Sequence, residues 1–291
     1  MKGALASFMM TLIAIKRSGF IPGGDVIFTA VIGEEGKSEG TEYIVNSDIR
    51  ADAAIVGEPS DYEYAIGHRG LEWFDVTFYG KASHSGKPEQ GVNAIEQAMT
   101  FINRVKQDLY PKLKDKYNEH MGGSVMNFGT ISGGTEQSTV ADKCVLRIDR
   151  RFIPGEDKDT VMAEYQEIID ILKFEDKTFN AKIEITPESI LALYHPPLIT
   201  SFNEPIVTCV RQAIKNVIHK EPTITRGIGW SDAALLKTYA NIPTVVLGPG
   251  DLSLAHTEAE FVKITDLINH VDIYSNIVQS FTKLEKTKEM D

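Results

Sequence analysis

The sequence predicts an α/β protein. A mixed, largely parallel sheet domain is expected in two sequence segments, with a ferredoxin-like β-α-β-β-α-β domain inserted between them. Three observations lead there. Apolar runs at 25–32, 53–56 and 243–247 each stop at glycine, as strands buried on both faces do. Stretches with helical spacing alternate with them. Between about 66 and 187 the rhythm changes to strand, helix, two strands, helix, strand. The expected divisions are 1–65 and 188–291 for the sheet domain and 66–187 for the insert.

In the first segment, Leu5, Phe8, Met9, Leu12 and Ile13 recur at helical spacing before Gly19, so a buried helix is expected there. Lys16 and Arg17 follow the apolar run without a small-residue cleavage site, which argues against a secretory leader. Asp25-Val-Ile-Phe-Thr-Ala-Val-Ile32 reads as a buried strand, 40–47 as a helix and 53–56 as a second strand. In the insert, strands are expected at 71–79, 125–131, 144–152 and 179–186. Helices are expected at 92–109 and 157–173. After Pro196-Pro197 come helices at 204–218 and 231–239, a strand at 243–247 and a closing helix at 264–284.

Composition narrows the function. The formal net charge is −11, which disfavours nucleic acid as a partner. No apolar stretch is long enough to span a bilayer, so no membrane role is expected. Cys144 and Cys209 stand far apart with no C-x-x-C pair, which argues against a disulfide framework or a thiolate zinc site. A reducing compartment fits, and the expected location is the cytoplasm.

In open α/β sheets, sites form beyond the carboxyl ends of strands. The expected strand 25–32 ends in Gly33-Glu34-Glu35-Gly36, 53–56 ends in Gly57-Glu58-Pro59-Ser60, and 243–247 leads through Gly248-Pro249-Gly250 to Ala255-His256-Thr257. Three carboxylates and one imidazole thus gather at one sheet edge. Such donors suit zinc, and a carboxylate left out of the ligand set can serve as general base. A solvated Glu-Glu loop and a structural histidine remain the alternative reading.

Six motifs occur in order: Met1-Lys-Gly-Ala-Leu-Ala6, Gly33-Glu-Glu-Gly36, Gly57-Glu-Pro-Ser60, Ala82-Ser-His84-Ser-Gly86, Asp149-Arg-Arg151-Phe-Ile-Pro154 and Ala255-His-Thr257. In these the chain resembles the zinc-dependent aminoacylase/carboxypeptidase family, which includes acetylornithine deacetylase and succinyl-diaminopimelate desuccinylase. The resemblance implies a two-zinc hydrolase, with cobalt as a possible substitute. It also implies that the inserted domain makes a homodimer. Carried over, Glu34 is the general base, Glu35 and His256 are ligands of one zinc, and Glu58 is a ligand of the other. His84 is implied to reach into the partner's site and stabilise an oxyanion. Arg151 is implied to bind the substrate carboxylate. Gly229-Trp-Ser-Asp232 matches a substrate-side loop of the family without an assigned role.

The sequence departs from the family in two places. The resemblance places two further ligands, a His and a bridging Asp, ahead of the Met-Lys-Gly motif, here residues 1–3. The chain is therefore expected to be a fragment with exposed apolar surface and little or no activity. In addition, Ser138 and Ala141 stand where the family often has Asn and Pro. The expected reaction is hydrolysis of an N-acyl amino acid. A dipeptidase or carboxypeptidase acting on short peptides is the nearest alternative. A non-catalytic dimerising or amino-acid-binding remnant is the alternative of another class.

Overall fold

The computed structural model describes residues 1–187, 193–226 and 229–285. Its elements begin with α1 (Lys2–Ser18), α2 (Glu39–Asn46), β1 (Ala54–Val56), β2 (Gly67–His68), β3 (Gly70–Tyr79), α3 (Ala94–Arg104) and α4 (Tyr110–Asp115). They continue with β4 (Tyr117–Asn118), β5 (Gly122–Gly123), β6 (Val125–Gly133), β7 (Lys143–Phe152), α5 (Lys158–Glu175), β8 (Ala181–Ile185) and β9 (Leu198–Ile199). They end with α6 (Pro205–Ile218), α7 (Ala233–Ala240), β10 (Thr244–Val246) and α8 (Ile264–Glu285). The chain divides into two compact units, Met1–His68 with Leu198–Asp291, and Arg69–Pro197.

The two-segment unit is built on a parallel pair, β1 with β10, and an antiparallel pair, β2 with β9. Tyr64, Ile66, Val207, Val210, Ile214, Val245, Ile273 and Ile277 form its principal core. Tyr274 is buried against it and donates its hydroxyl to the Leu247 carbonyl at 2.9 Å.

Two expectations for this unit fail, for physical reasons. The helix over 2–18 forms, with Gly19 at its end in the left-handed region (φ 74°), and Phe8 packs on the core against Tyr274, but Leu5, Met9 and Ile13 do not lie inside. Ala4, Ser7, Thr11 and Ile15 are buried instead. Small residues on that face let α1 approach α8 closely, and the Ser7 hydroxyl donates to the Leu267 carbonyl at 3.1 Å. Leu5, Met9, Met10 and Ile13 are left exposed. The second failure is 25–32, which is not a strand. Buried strands need neighbours to satisfy their backbone groups, and β1 pairs only with β10 among the described residues. Residue Ile32 accepts from the Gly40 amide at 3.0 Å, but no ladder forms, and Val26, Ile27, Val31 and Ile32 face solvent.

The second unit has the β-α-β-β-α-β order. Its antiparallel sheet runs β6-β7-β3-β8, with β3 paired to β7 along its whole length and to β8 over Phe74–Phe78. Alternate residues Phe74, Val76 and Phe78 of β3, and Cys144, Leu146 and Ile148 of β7, bury one sheet face. They pack with Ala98 and Phe101 of α3 and Val161, Tyr165 and Ile169 of α5. The expected 92–109 helix is α3 followed by a π-helical turn over Val105–Leu109. Asp157 caps α5 by accepting from the Thr160 amide at 2.8 Å, and Thr160 answers with its side chain. Cys144 and Cys209 are free and buried. Among the described residues, no helix is long and apolar enough to cross a membrane.

Candidate active site

Three loops of the two-segment unit bring the expected ligands forward. The first follows 25–32. The Gly33 carbonyl accepts from the amides of Gly36 and Ser38 at 2.9 and 2.7 Å, closing a tight turn that holds Glu34 and Glu35. Gly33 has φ 88°, and a Cβ there would lie 2.0 Å from a Glu39 carboxylate oxygen, so glycine is required. The second loop leaves β1 and carries Glu58. It is braced to the third, after β10, by the Ser60 amide donating to the Gly248 carbonyl at 3.0 Å. A Cβ at Gly248 would sit 2.7 Å from the Glu58 carbonyl oxygen, so only glycine allows that approach. The third loop passes a short turn over Leu252–Leu254 and reaches His256, itself in the left-handed region at φ 60°.

This arrangement brings Glu35 and His256 together: a Glu35 carboxylate oxygen lies 3.8 Å from His256 Nε2, both side chains open to solvent. Glu34 and Glu58 sit deeper. Burial pushes the Glu34 carboxyl up to about 8, and the neighbouring charges of Glu58, Asp232 and Glu35 push it the same way. Burial likewise raises Glu58, to about 7, with the Met1 ammonium pulling against it and Glu35 and Asp232 adding to the rise. One Glu58 oxygen, Oε1, is buried without a hydrogen-bond partner among the described residues. Carboxylates crowded this way cannot all stay ionised unless a cation joins them.

The donors therefore fit a divalent cation in part. Glu35 and His256 form a carboxylate–imidazole pair, and the orphaned Glu58 oxygen is a third donor. No three His, Cys, Asp or Glu side chains among the described residues converge closely enough to form a finished ligand set.

His84 and Arg151 belong to the other unit. His84 is exposed, in a short bridge with Thr139, and its Nδ1 accepts from the Gly86 amide at 3.0 Å. That bond places the ring proton of the neutral imidazole on Nε2, which is then a donor. The departing residue Ser138 is part of the same loop pairing, its carbonyl accepting from Ser85 at 2.9 Å. Arg151 is held in a two-pronged pair with Asp149, at 2.7 and 2.9 Å. Asp149 also accepts from Trp73 Nε1 at 2.9 Å. Arg151 is thus held in one orientation by Asp149. Its neighbour Arg150 points to the opposite face and is fully buried with Glu156 and Glu164.

The residue that the sequence left without a role is Asp232. It is buried and receives a 2.6 Å hydrogen bond from Thr41 on α2. The Gly-Trp-Ser-Asp motif was the available signal, but it did not reveal contact with the Glu34 loop.

Comparison with known proteins shows what the chain resembles. Residues 66–177 match the peptidase dimerisation domain of family M20. The chain is 24% identical to a probable succinyl-diaminopimelate desuccinylase of Staphylococcus epidermidis, across 98% of this chain and 74% of that protein. It is 29% identical to an acetylornithine deacetylase of Proteus mirabilis, across 89% of this chain and 64% of the relative. A tripeptidase structure from Staphylococcus aureus superposes with a TM-score of 0.78 at 24% identity, covering 97% of this chain and 70% of that one. Aminopeptidase PepT from Bacillus cereus gives 0.75 at 23%, covering 96% and 70%. The chain is thus similar in sequence to these hydrolases and in fold to these peptidases, and residues 66–177 match an M20 dimerisation domain.

Proposed function

We propose that the protein is a metal-dependent amidohydrolase acting on N-acyl amino acids. The observation that carries this reading is the approach of Glu35 to His256 beside the buried pair Glu34 and Glu58. Glu35 and His256 would hold one divalent cation and Glu58 a second, with zinc as the expected ion and cobalt as a substitute. When bound, the cations supply Lewis-acid polarisation of the amide carbonyl. Glu34 takes a proton from the water that adds to the carbonyl carbon. As the C–N bond breaks, Glu34 returns that proton to the departing amine. His84, supplied by the second copy of a homodimer, donates its Nε2 proton in a hydrogen bond to the oxyanion. Arg151 exchanges Asp149 for the carboxylate of the substrate.

The curated names of the relatives support an acyl amino acid over a peptide. Protein isolated from its own cells tests the reading. It should hydrolyse N-acetyl or N-succinyl amino acids after zinc or cobalt loading, and lose that activity to a chelator. Cleavage of di- and tripeptides alone would replace the substrate class. Chelator-insensitive activity, or none on either class, would reject the reading in favour of a non-catalytic binding module.

A further inference from the structure

Asp232 is placed where a polar side chain has no obvious packing value. It is only 4% exposed, and among the described residues its Oδ1 makes no hydrogen bond of ordinary geometry, although the Ser38 hydroxyl lies near enough to favour its charged form, as Thr41 does. It stands near two other carboxylates, Glu34 and Glu58, whose protonation it opposes in no way and whose charge it disfavours. Burying an ionisable group in that company destabilises the fold. An aliphatic side chain would fill the space between α2 and α7 without that penalty. What Asp232 does provide is a tether. Its Oδ2 accepts from the Thr41 hydroxyl at 2.6 Å, and its own backbone is fixed at the start of α7, where its carbonyl accepts from the Leu235 amide at 3.0 Å. Its neighbour Ser231 is also pinned, its hydroxyl 3.2 Å from His68 Nε2.

Thr41 lies in the first turn of α2, directly after the loop that carries Glu34 and Glu35. That loop has few other restraints. Its turn closes on Gly33, and Gly40 donates to Ile32 at 3.0 Å. Ser38, at the head of α2, is in the left-handed region at φ 53° and makes no side-chain cap. Apart from the Gly40 bond to Ile32, no strand ladder among the described residues fixes the loop on the 25–32 side.

We infer that Asp232 is a positioning residue: through Thr41 it fixes the Glu34–Glu35 loop in the place from which Glu35 meets His256. It is not itself one of the cation's donors, and it acts through the loop. The inference rests on the proposed cation site and is separable from it.

The test compares Asp232→Ala, Thr41→Val and the double variant with two conservative variants, Asp232→Asn and Thr41→Ser. Zinc affinity is measured by competition with a chromophoric chelator. Amide hydrogen exchange over 33–42 is measured on the same samples without metal. Asp232→Ala and Thr41→Val should each weaken zinc binding about tenfold or more, the usual range for losing a group that orients a ligand. The double variant should be no worse than Asp232→Ala alone, because Thr41 acts on the loop through Asp232. Asp232→Asn and Thr41→Ser keep the hydrogen bond and should bind zinc nearly as the parent does. Exchange should quicken over 33–42 in the Ala and Val variants, with the rest of the unit unchanged. Unchanged affinity and exchange in Thr41→Val, or additive losses in the double variant, would overturn the inference. Should Asp232→Ala not fold, Thr41→Val carries the comparison. If the parent chain binds no zinc, the proposed cation site fails, and hydrogen exchange alone decides whether Asp232 positions the loop.

Discussion

Glu34→Gln should stabilise the metal-free chain, and by an amount that depends on pH. Burial and the charges of Glu58, Asp232 and Glu35 lift the Glu34 carboxyl from its ordinary 4.5 to about 8. The folded chain therefore holds this proton more tightly than the unfolded chain does. The contribution to stability is fully present below pH 4.5 and is lost as pH rises through about 8. The interval from 4.5 to 8 corresponds to about 5 kcal/mol for an isolated group. Glu58 shares the same field, so the two losses are not additive, and roughly 2–5 kcal/mol is expected. Glutamine removes the charge at equal size. Its advantage should be near zero at pH 5 and should grow to roughly 2 kcal/mol or more at pH 8. Urea unfolding followed through Trp230 in a Trp73→Phe background reads this unit, and comparing Glu34→Gln with the parent at each pH cancels the histidine titration common to both. Zinc should abolish the difference by neutralising the cluster. A parent chain equally stable at pH 6.5 and 8, with no gain in Glu34→Gln, would refute the crowding of carboxylates.

Histidine sets the acid limit. His195 is 5% exposed, and burial, with the Arg151 charge beside it, pushes it down to about 4. The unfolded chain then binds the extra proton, so stability falls from pH 6.5 to about 4 by about 3 kcal/mol, and His195→Gln should flatten that slope in urea titrations. Arg150 is fully buried, paired with Glu156 at 2.8 Å and Glu164 at 3.3 Å. Arg150→Ala should lower stability by about 3–5 kcal/mol, and Arg150→Met by clearly less; equal losses in thermal melts would contradict a pairing role. On α1, lysine at Leu5, Met9 or Ile13 should change stability by under about 0.5 kcal/mol and reduce binding of an apolar dye. A loss above about 2 kcal/mol would mean that face is covered.

Much of this was legible in the sequence because local pattern and tertiary need coincide. Strand β3 alternates buried and less buried residues over much of its length, and α5 begins within a residue of the expected start, capped by Asp157 with Thr160 three residues on. The glycines at 33 and 248 marked turns that the carboxylate loops require. Helix α1 misled in part: Phe8 and Ile15 face the core, but Leu5, Met9 and Ile13 lie on the open side, whereas Ser7 and Thr11 satisfy their hydroxyls within the helix and across to α8. The run 25–32 misled because composition reports a strand's appetite for burial, while pairing depends on a neighbour elsewhere. The Thr41–Asp232 contact joins residues 191 apart in sequence, and no periodicity encodes such a meeting. His84 and Arg151 lie in the other unit, so local pattern supplied only their immediate settings.

The central claim is that Glu35 and His256 form the first half of a cation site. Zinc affinity of the parent chain, Glu35→Ala and His256→Ala, measured by chelator competition at constant pH, tests it most directly. The account predicts measurable binding by the parent and a loss of at least tenfold in each variant, with the two losses coupled. Parent binding that survives both substitutions unchanged, or no binding by the parent at all, would contradict it.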